Sequence, residues 1–176
     1  IIAGATEFAS GLGEVFGAQA LTKTGFGTLV ISGAATYSGA TTIGGQITTG
    51  TVLTNGGAIV LSGNGALLNT SGITVNGGGT LAIDNSGINL NDRIRDLANI
   101  TLDGGRLQLI GKVGEASSEM FNNLILNDNS SSSVESIVST TGGSSAEWRI
   151  NSIDRGLTLA SEFVRFVGRG AAIGAT

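Results

Sequence analysis

LTKTGFGTLVISGAATYSGATTI, residues 21–43, holds two short β-type runs, 28–32 and 41–43, each reached through glycine or small residues. Between them, residues 33–39 form a small, polar turn segment with one aromatic, Tyr37. Branched Val, Ile and Thr side chains pack well on a pleated, half-buried surface, while Gly, Ser and Asn favour turns. The pattern is strand, turn, strand, with no room for a helix.

The rest of the chain has the same texture. Its 176 residues include 30 glycines but no proline, cysteine or histidine, and 40% are hydrophobic. That apolar content argues against a disordered linker. No window shows a long apolar stripe of 3.6-residue period, so the reading is all-β. At 176 residues the chain fits one domain able to bury a core. With a net charge of −4 and no basic run to follow a phosphate backbone, nucleic acid is not an expected partner. The purely apolar stretches fall well short of the ~20 residues of a membrane span. No charged, apolar and small-residue sequence of a signal peptide opens the chain.

Outward from residues 21–43 an internal repeat emerges. Glycines precede strand-like runs at Gly27, Gly45, Gly57, Gly79 and Gly105, at spacings of 18, 12, 22 and 26 residues. The clearest pair is ITVNGGGTLAI (73–83) against ITLDGGRLQLI (100–110). In both, apolar residues alternate (Leu81 and Ile83, Leu107 and Leu109), as a half-buried strand requires. A period near two dozen residues suits one coil of a β-solenoid, with glycine at corners that need positive φ or close backbone approach. Asn55, Asn76 and Asp103 each precede a glycine turn, so stacked coils would align them in a polar corner ladder. No charged residue lies between Lys23 and Asp84, which fits coils covered by Thr, Ser and Asn.

Read from its lysine, glycines, Tyr37 and the Thr-x-Ile end, residues 21–43 resemble the autotransporter-associated β-strand repeat, or passenger-associated transport repeat, of bacterial surface and secreted proteins. Ala35 stands where that family usually has Asn, and Gly45-Gln46-Ile47 where it has G-x-L. A looser likeness continues through residues 73–111. The resemblance implies coils of a right-handed parallel β-helix, extracellular or on the bacterial cell surface, used for adhesion, matrix or appendage building.

The expectation is therefore a single all-β, right-handed parallel β-helix domain over 1–176. Residues 1–20 form a cap or docking segment, 21–167 the coils and 168–176 a tail. About eight coils of roughly 22 residues would make a rod roughly 40 Å long. Residues 115–123 read as an excursion, 130–133 as a polar loop, and 124–126, 136–139, 147–150, 157–159 and 162–167 as strands.

No cofactor or metal is expected, because a chain without His or Cys lacks the usual nucleophilic and transition-metal residues. Gly25-Phe26-Gly27 opens a strand, so it is no dinucleotide fingerprint. The expected function is architectural and non-enzymatic: head-to-tail self-association into a filament, sheath or matrix, with Ile1, Ile2, Phe8, Phe16, Phe166 and Ile173 as candidate assembly residues. The alternative is an adhesin or passenger fragment contacting glycan or the cell envelope through Arg93, Arg95 and Trp148; Trp148 reads as core or as a carbohydrate platform. A carbohydrate-active enzyme ranks last. Asp84, Asp92, Asp96 and Asp103, with Arg93 and Arg95, form the one dense cluster that could supply paired carboxylates. The more economical reading of Asp92–Asp96 is exposed or corner salt bridges.

Overall fold

Strands alternate apolar and polar side chains, and that alternation stacks them into a parallel solenoid in the computed structural model, which describes residues 4–44, 56–127, 130–139, 142–155 and 163–170. The first sheet runs β1 (Ala5–Phe8), β3 (Thr28–Ile31), β6 (Ala58–Leu61), β9 (Thr80–Asp84), β11 (Arg106–Ile110), β13 (Ser131–Ile137) and β15 (Phe163–Arg169). The second runs β2 (Leu21–Lys23), β5 (Thr41–Ile43), β8 (Gly72–Asn76), β10 (Asn99–Asp103), β12 (Ala116–Leu126) and β14 (Ser145–Arg155). A short third face pairs β4 (Ala34–Ala35) with β7 (Ala66–Leu67) and continues through a Leu67–Ile94 bridge. Every strand pair in these sheets is parallel, so each step from one strand to its neighbour is one coil.

Register places like residues on like. Leu29, Ile59, Leu81, Leu107 and Val134 stack in one buried ladder, and Ile73 and Ile100 stack in the facing sheet. Burial of these aliphatic columns between the sheets is the main favourable term holding the coils together. The pairing of 73–83 with 100–110 read from sequence is the observed register.

The coil count differs from expectation. β3 pairs directly with β6, so residues 27–57 make one rung rather than two; Gly45 itself lies outside the described residues. Successive rungs of the first sheet, followed from Thr6 to Phe166, are 23, 30, 22, 26, 27 and 32 residues apart. Among the described residues the seven strands of that sheet give six steps, or about 29 Å at ~4.8 Å per strand. Gly27, Gly57, Gly79 and Gly105 do share one column. A Cβ at Gly57 would sit 2.2 Å from the Gly27 carbonyl oxygen, so the corners pack backbone on backbone.

Of the expected corner ladder only the Asn76–Asp103 pair is described, and on the preceding coil the register brings Gly44 opposite Asn76. Asn76 lies opposite Asp103, and its side-chain amide donates to the Gly44 carbonyl of the adjacent coil at 3.0 Å. Asn55 lies outside the described residues.

Three expectations need correction, and a fourth, the 147–150 strand, holds within a longer element. Residues 5–8, expected in a cap, are already a strand of the first sheet. Residues 115–123, expected as an excursion, are mostly β12, and 130–133 mostly the start of β13. The 147–150 strand is the middle of an eleven-residue β14. The 157–159 run lies outside the described residues.

Candidate functional site

The repeat stretch builds a buried hydroxyl chain at one corner. Tyr37 is buried, and its hydroxyl lies 2.6 Å from Thr41 Oγ1, which lies 3.0 Å from Thr70 Oγ1 on the next coil. Thr70 Oγ1 reaches the Gly39 carbonyl at 3.0 Å and the Gly72 carbonyl at 3.1 Å. Because Thr70 gives its one proton to a carbonyl, Thr41 donates to Thr70 and Tyr37 donates to Thr41. Burial pushes the Tyr37 pKa up, outweighing the Thr41 hydrogen bond. Gly39 is fixed by close approach: a Cβ there would lie 2.2 Å from the Gln19 carbonyl oxygen. At the preceding corner Lys23 Nζ donates to the carbonyls of Thr24 (2.7 Å) and Gly25 (3.0 Å). The lysine, tyrosine, glycine and threonine of the stretch thus satisfy corner backbone groups and hydroxyls where two coils meet.

A second polar cluster lies between the third face and β12. Arg93 and Glu119 are both 0% exposed. The Arg93 guanidinium donates to Asn85 Oδ1 (2.7 Å), the Gly65 carbonyl (2.6 Å) and the Ile88 carbonyl (2.9 Å). The Glu119 carboxylate accepts from the backbone N–H groups of Arg93 (2.9 Å) and Ile94 (2.8 Å). Burial pushes Glu119 up to about 8, against the lowering effect of those two N–H donors. Burial likewise lowers the Arg93 pKa, opposed by Glu119 and Asp84. Around the cluster, Asn89 donates to the Ala116 carbonyl (2.9 Å) and to Glu115 (3.1 Å), and Asn91 Oδ1 accepts from the Ser118 N–H (2.8 Å). These bonds staple the irregular 85–98 segment onto the following coil. Sequence reasoning missed Asn85 and Glu119; the available signal was Ser117, Glu119 and Phe121 at alternate positions.

The expected glycan surface does not assemble. Arg93 is buried and its guanidinium is held by three oxygen acceptors, so it presents no face to a ligand. Trp148 packs edge-on against Phe121 (centroids 5.9 Å apart, 77° between planes), and its indole N–H donates to the Glu135 carbonyl at 3.1 Å. That is a partly buried position, packed against the core at the last described rung. Arg95 is exposed. Among the described residues, Asp92, Arg93, Arg95 and Asp96 form no side-chain ion pair with one another, contrary to the expected salt bridges. Two of the candidate carboxylates, Asp84 and Asp103, lie on different sheets. Asp84 closes β9 in the first sheet and accepts from the Ser86 N–H and hydroxyl, whereas Asp103 ends β10 in the second.

Candidate assembly residues fall at the two ends. Phe8 lies on β1, the edge of the first sheet, in register with buried Ile31. Phe16 is 85% exposed on a loop whose base is closed by Glu14, which accepts from the Gln19 and Ser38 N–H groups. Phe166 is 54% exposed on β15, the opposite edge, in register with buried Val134. Ile1, Ile2 and Ile173 lie outside the described residues.

Residues 21–45 match the passenger-associated transport repeat. The match covers the Lys23 corner and the Tyr37–Thr41 hydroxyl pair, and Thr41 in turn reaches Thr70 on the next coil. Neither the comparison with curated proteins nor that with solved structures gives a match. The chain carries an autotransporter-type passenger repeat on an all-β parallel solenoid, consistent with an extracellular passenger domain.

Proposed function

We propose that this chain is a non-enzymatic structural passenger solenoid, right-handed and exported, whose terminal rungs stack head to tail on further copies to build a filament, sheath or surface matrix. The observation that carries this reading is the state of the last described rung. The inward-facing side chains of β14 and β15 — Ala146, Trp148, Ile150, Val164 and Phe166 — have core on one side and remain partly or largely exposed on the other. At the opposite end β1 and β2 are also edge strands, and β1 is exposed along its length.

An unpaired parallel edge is a template for another strand. A contact that joins one end of a solenoid to the other end of its neighbour is heterologous and does not close, so it propagates. The burial of Arg93 and the separation of Asp84 from Asp103 support a non-enzymatic reading. The transport repeat supports a location outside the cell.

Sedimentation velocity across a concentration series tests the stacking. The parent chain is expected to grow with concentration, while Phe166→Asp stays monomeric with an unchanged far-ultraviolet spectrum. A parent that remains monomeric throughout, or a variant that assembles equally, would overturn the proposal.

A further inference from the structure

The outer face of the first sheet changes character along its length. Leu81, Leu107, Leu109 and Val134 are buried, so the alternate residues of β9, β11 and β13 face outward. Over β3, β6 and β9 the outward ranks are uncharged up to Asp84: Thr28, Ala58 and Thr80 in one, Val30, Val60 and Ala82 in the next. Over β11, β13 and β15 the same two ranks become Arg106, Ser133 and Arg165, then Gln108, Glu135 and Val167. Arg169 lies farther along β15, in register with Ile137. Phe163 begins that strand on the same face and is 60% exposed.

Glu135 is the one carboxylate in these outward ranks of the three strands. It is buried and committed, accepting from Gln108 Nε2 at 2.8 Å and pairing with Arg169. Arg106 and Arg165 are exposed and in no ion pair among the described residues. In a chain of net charge −4, two exposed guanidinium groups in one rank are a local feature, not a reflection of overall composition, although Arg106 also acts through space on the Glu135 carboxylate.

We propose that the outer face of β11, β13 and β15 binds an anionic polysaccharide running along the solenoid axis. Arg106 and Arg165 would pair with its carboxylate, sulfate or phosphate groups, Ser133 would bond between them, and Phe163 would cover a sugar ring. The planar guanidinium fork takes such oxyanions bidentately. The two arginines are two strand spacings apart, about 10 Å, which suits repeating charges on an extended polymer better than one small anion. An extended nucleic acid is disfavoured because, among the described residues of these three strands, the one further cation on this face, Arg169, is paired with Glu135. This binding uses the side of the solenoid and does not depend on stacking of its ends.

The test measures affinity electrophoresis of the purified chain through gels containing polygalacturonate, dextran sulfate, neutral dextran or single-stranded DNA, at low and high salt. Retardation by the two anionic polysaccharides, reduced by salt, is the expected result. Arg106→Gln and Arg165→Gln should each weaken it about tenfold, the loss of one charge-assisted pair. Phe163→Ala should weaken the polysaccharides several-fold. Arg149→Gln, on the second sheet and paired with Glu147, should leave retardation unchanged. Phe166→Asp, which separates side binding from end stacking, should bind as the parent does. Full binding by the Arg106/Arg165 double variant would overturn the proposal. So would equal retardation by neutral dextran, tighter binding of DNA, or loss of binding in Phe166→Asp.

Discussion

Glu119 makes the stability of this solenoid depend on pH over a range where little else titrates. Its carboxyl is fully buried and is raised from 4.5 to about 8, chiefly by loss of hydration, despite the two N–H donors that favour the charged form. A carboxyl with a raised folded-state pKa binds its proton more tightly in the folded chain. Its stabilising contribution is therefore complete below the unfolded value and is lost as pH rises towards the folded one. A shift from 4.5 to about 8 corresponds to about 5 kcal/mol, at 1.36 kcal/mol per unit. The chain has no histidine to obscure the effect. Urea denaturation of the parent at intervals from pH 4.5 to 9 should show a midpoint that falls steadily. Glu119→Gln keeps the shape and one good acceptor but turns an amide towards the other N–H, costing about 1–2 kcal/mol at low pH. Its midpoint should be nearly flat, so the two curves cross between about pH 5 and pH 6. Parallel curves for parent and variant would refute this description of the cluster.

Other substitutions read out the packing. Arg93→Ala removes a buried charge from three acceptors and leaves them unpaired, so it should cost about 3–5 kcal/mol. Arg95→Ala, exposed two residues away, should stay within about 0.5 kcal/mol; equilibrium denaturation compares them. Gly39→Ala must displace the Gln19 carbonyl, and hydrogen exchange should show faster opening of the first coils with the 100–126 region unchanged. Phe121→Ala should destabilise by about 3–5 kcal/mol. It also removes the partner of the chain's one tryptophan, so the emission of Trp148 should move to longer wavelength.

Strands whose inward residues are aliphatic were legible in the sequence. Leu81 with Ile83 and Leu107 with Leu109 show the period of two, and their glycine turns set the register. The first half of β12 was illegible for a physical reason: its inward residues Ser117 and Glu119 are polar because they bind the 85–98 segment, not an apolar core. The start of β13 hides similarly, since inward Ser132 accepts from the Gly104 N–H at 3.1 Å. Arg93 looked like a surface charge because an alternating-sign run is ordinarily solvated. Only the coil stacking, which brings Gly65, Asn85 and Glu119 around it, shows that it is interior. At the site level Tyr37 was legible as the aromatic of the 33–39 turn, whereas the Lys23 corner shows only in its bonds to the Thr24 and Gly25 carbonyls. The basic outer rank could not be read from sequence, because Arg106 and Arg165 become neighbours only through the strand register.

Electron microscopy of the purified chain across a concentration series tests end-to-end stacking most directly. Uniform fibres with the ~4.8 Å strand repeat continuous through the junctions, and an axial subunit repeat near one solenoid length, are the predicted result. Monodisperse short rods at every concentration would contradict it.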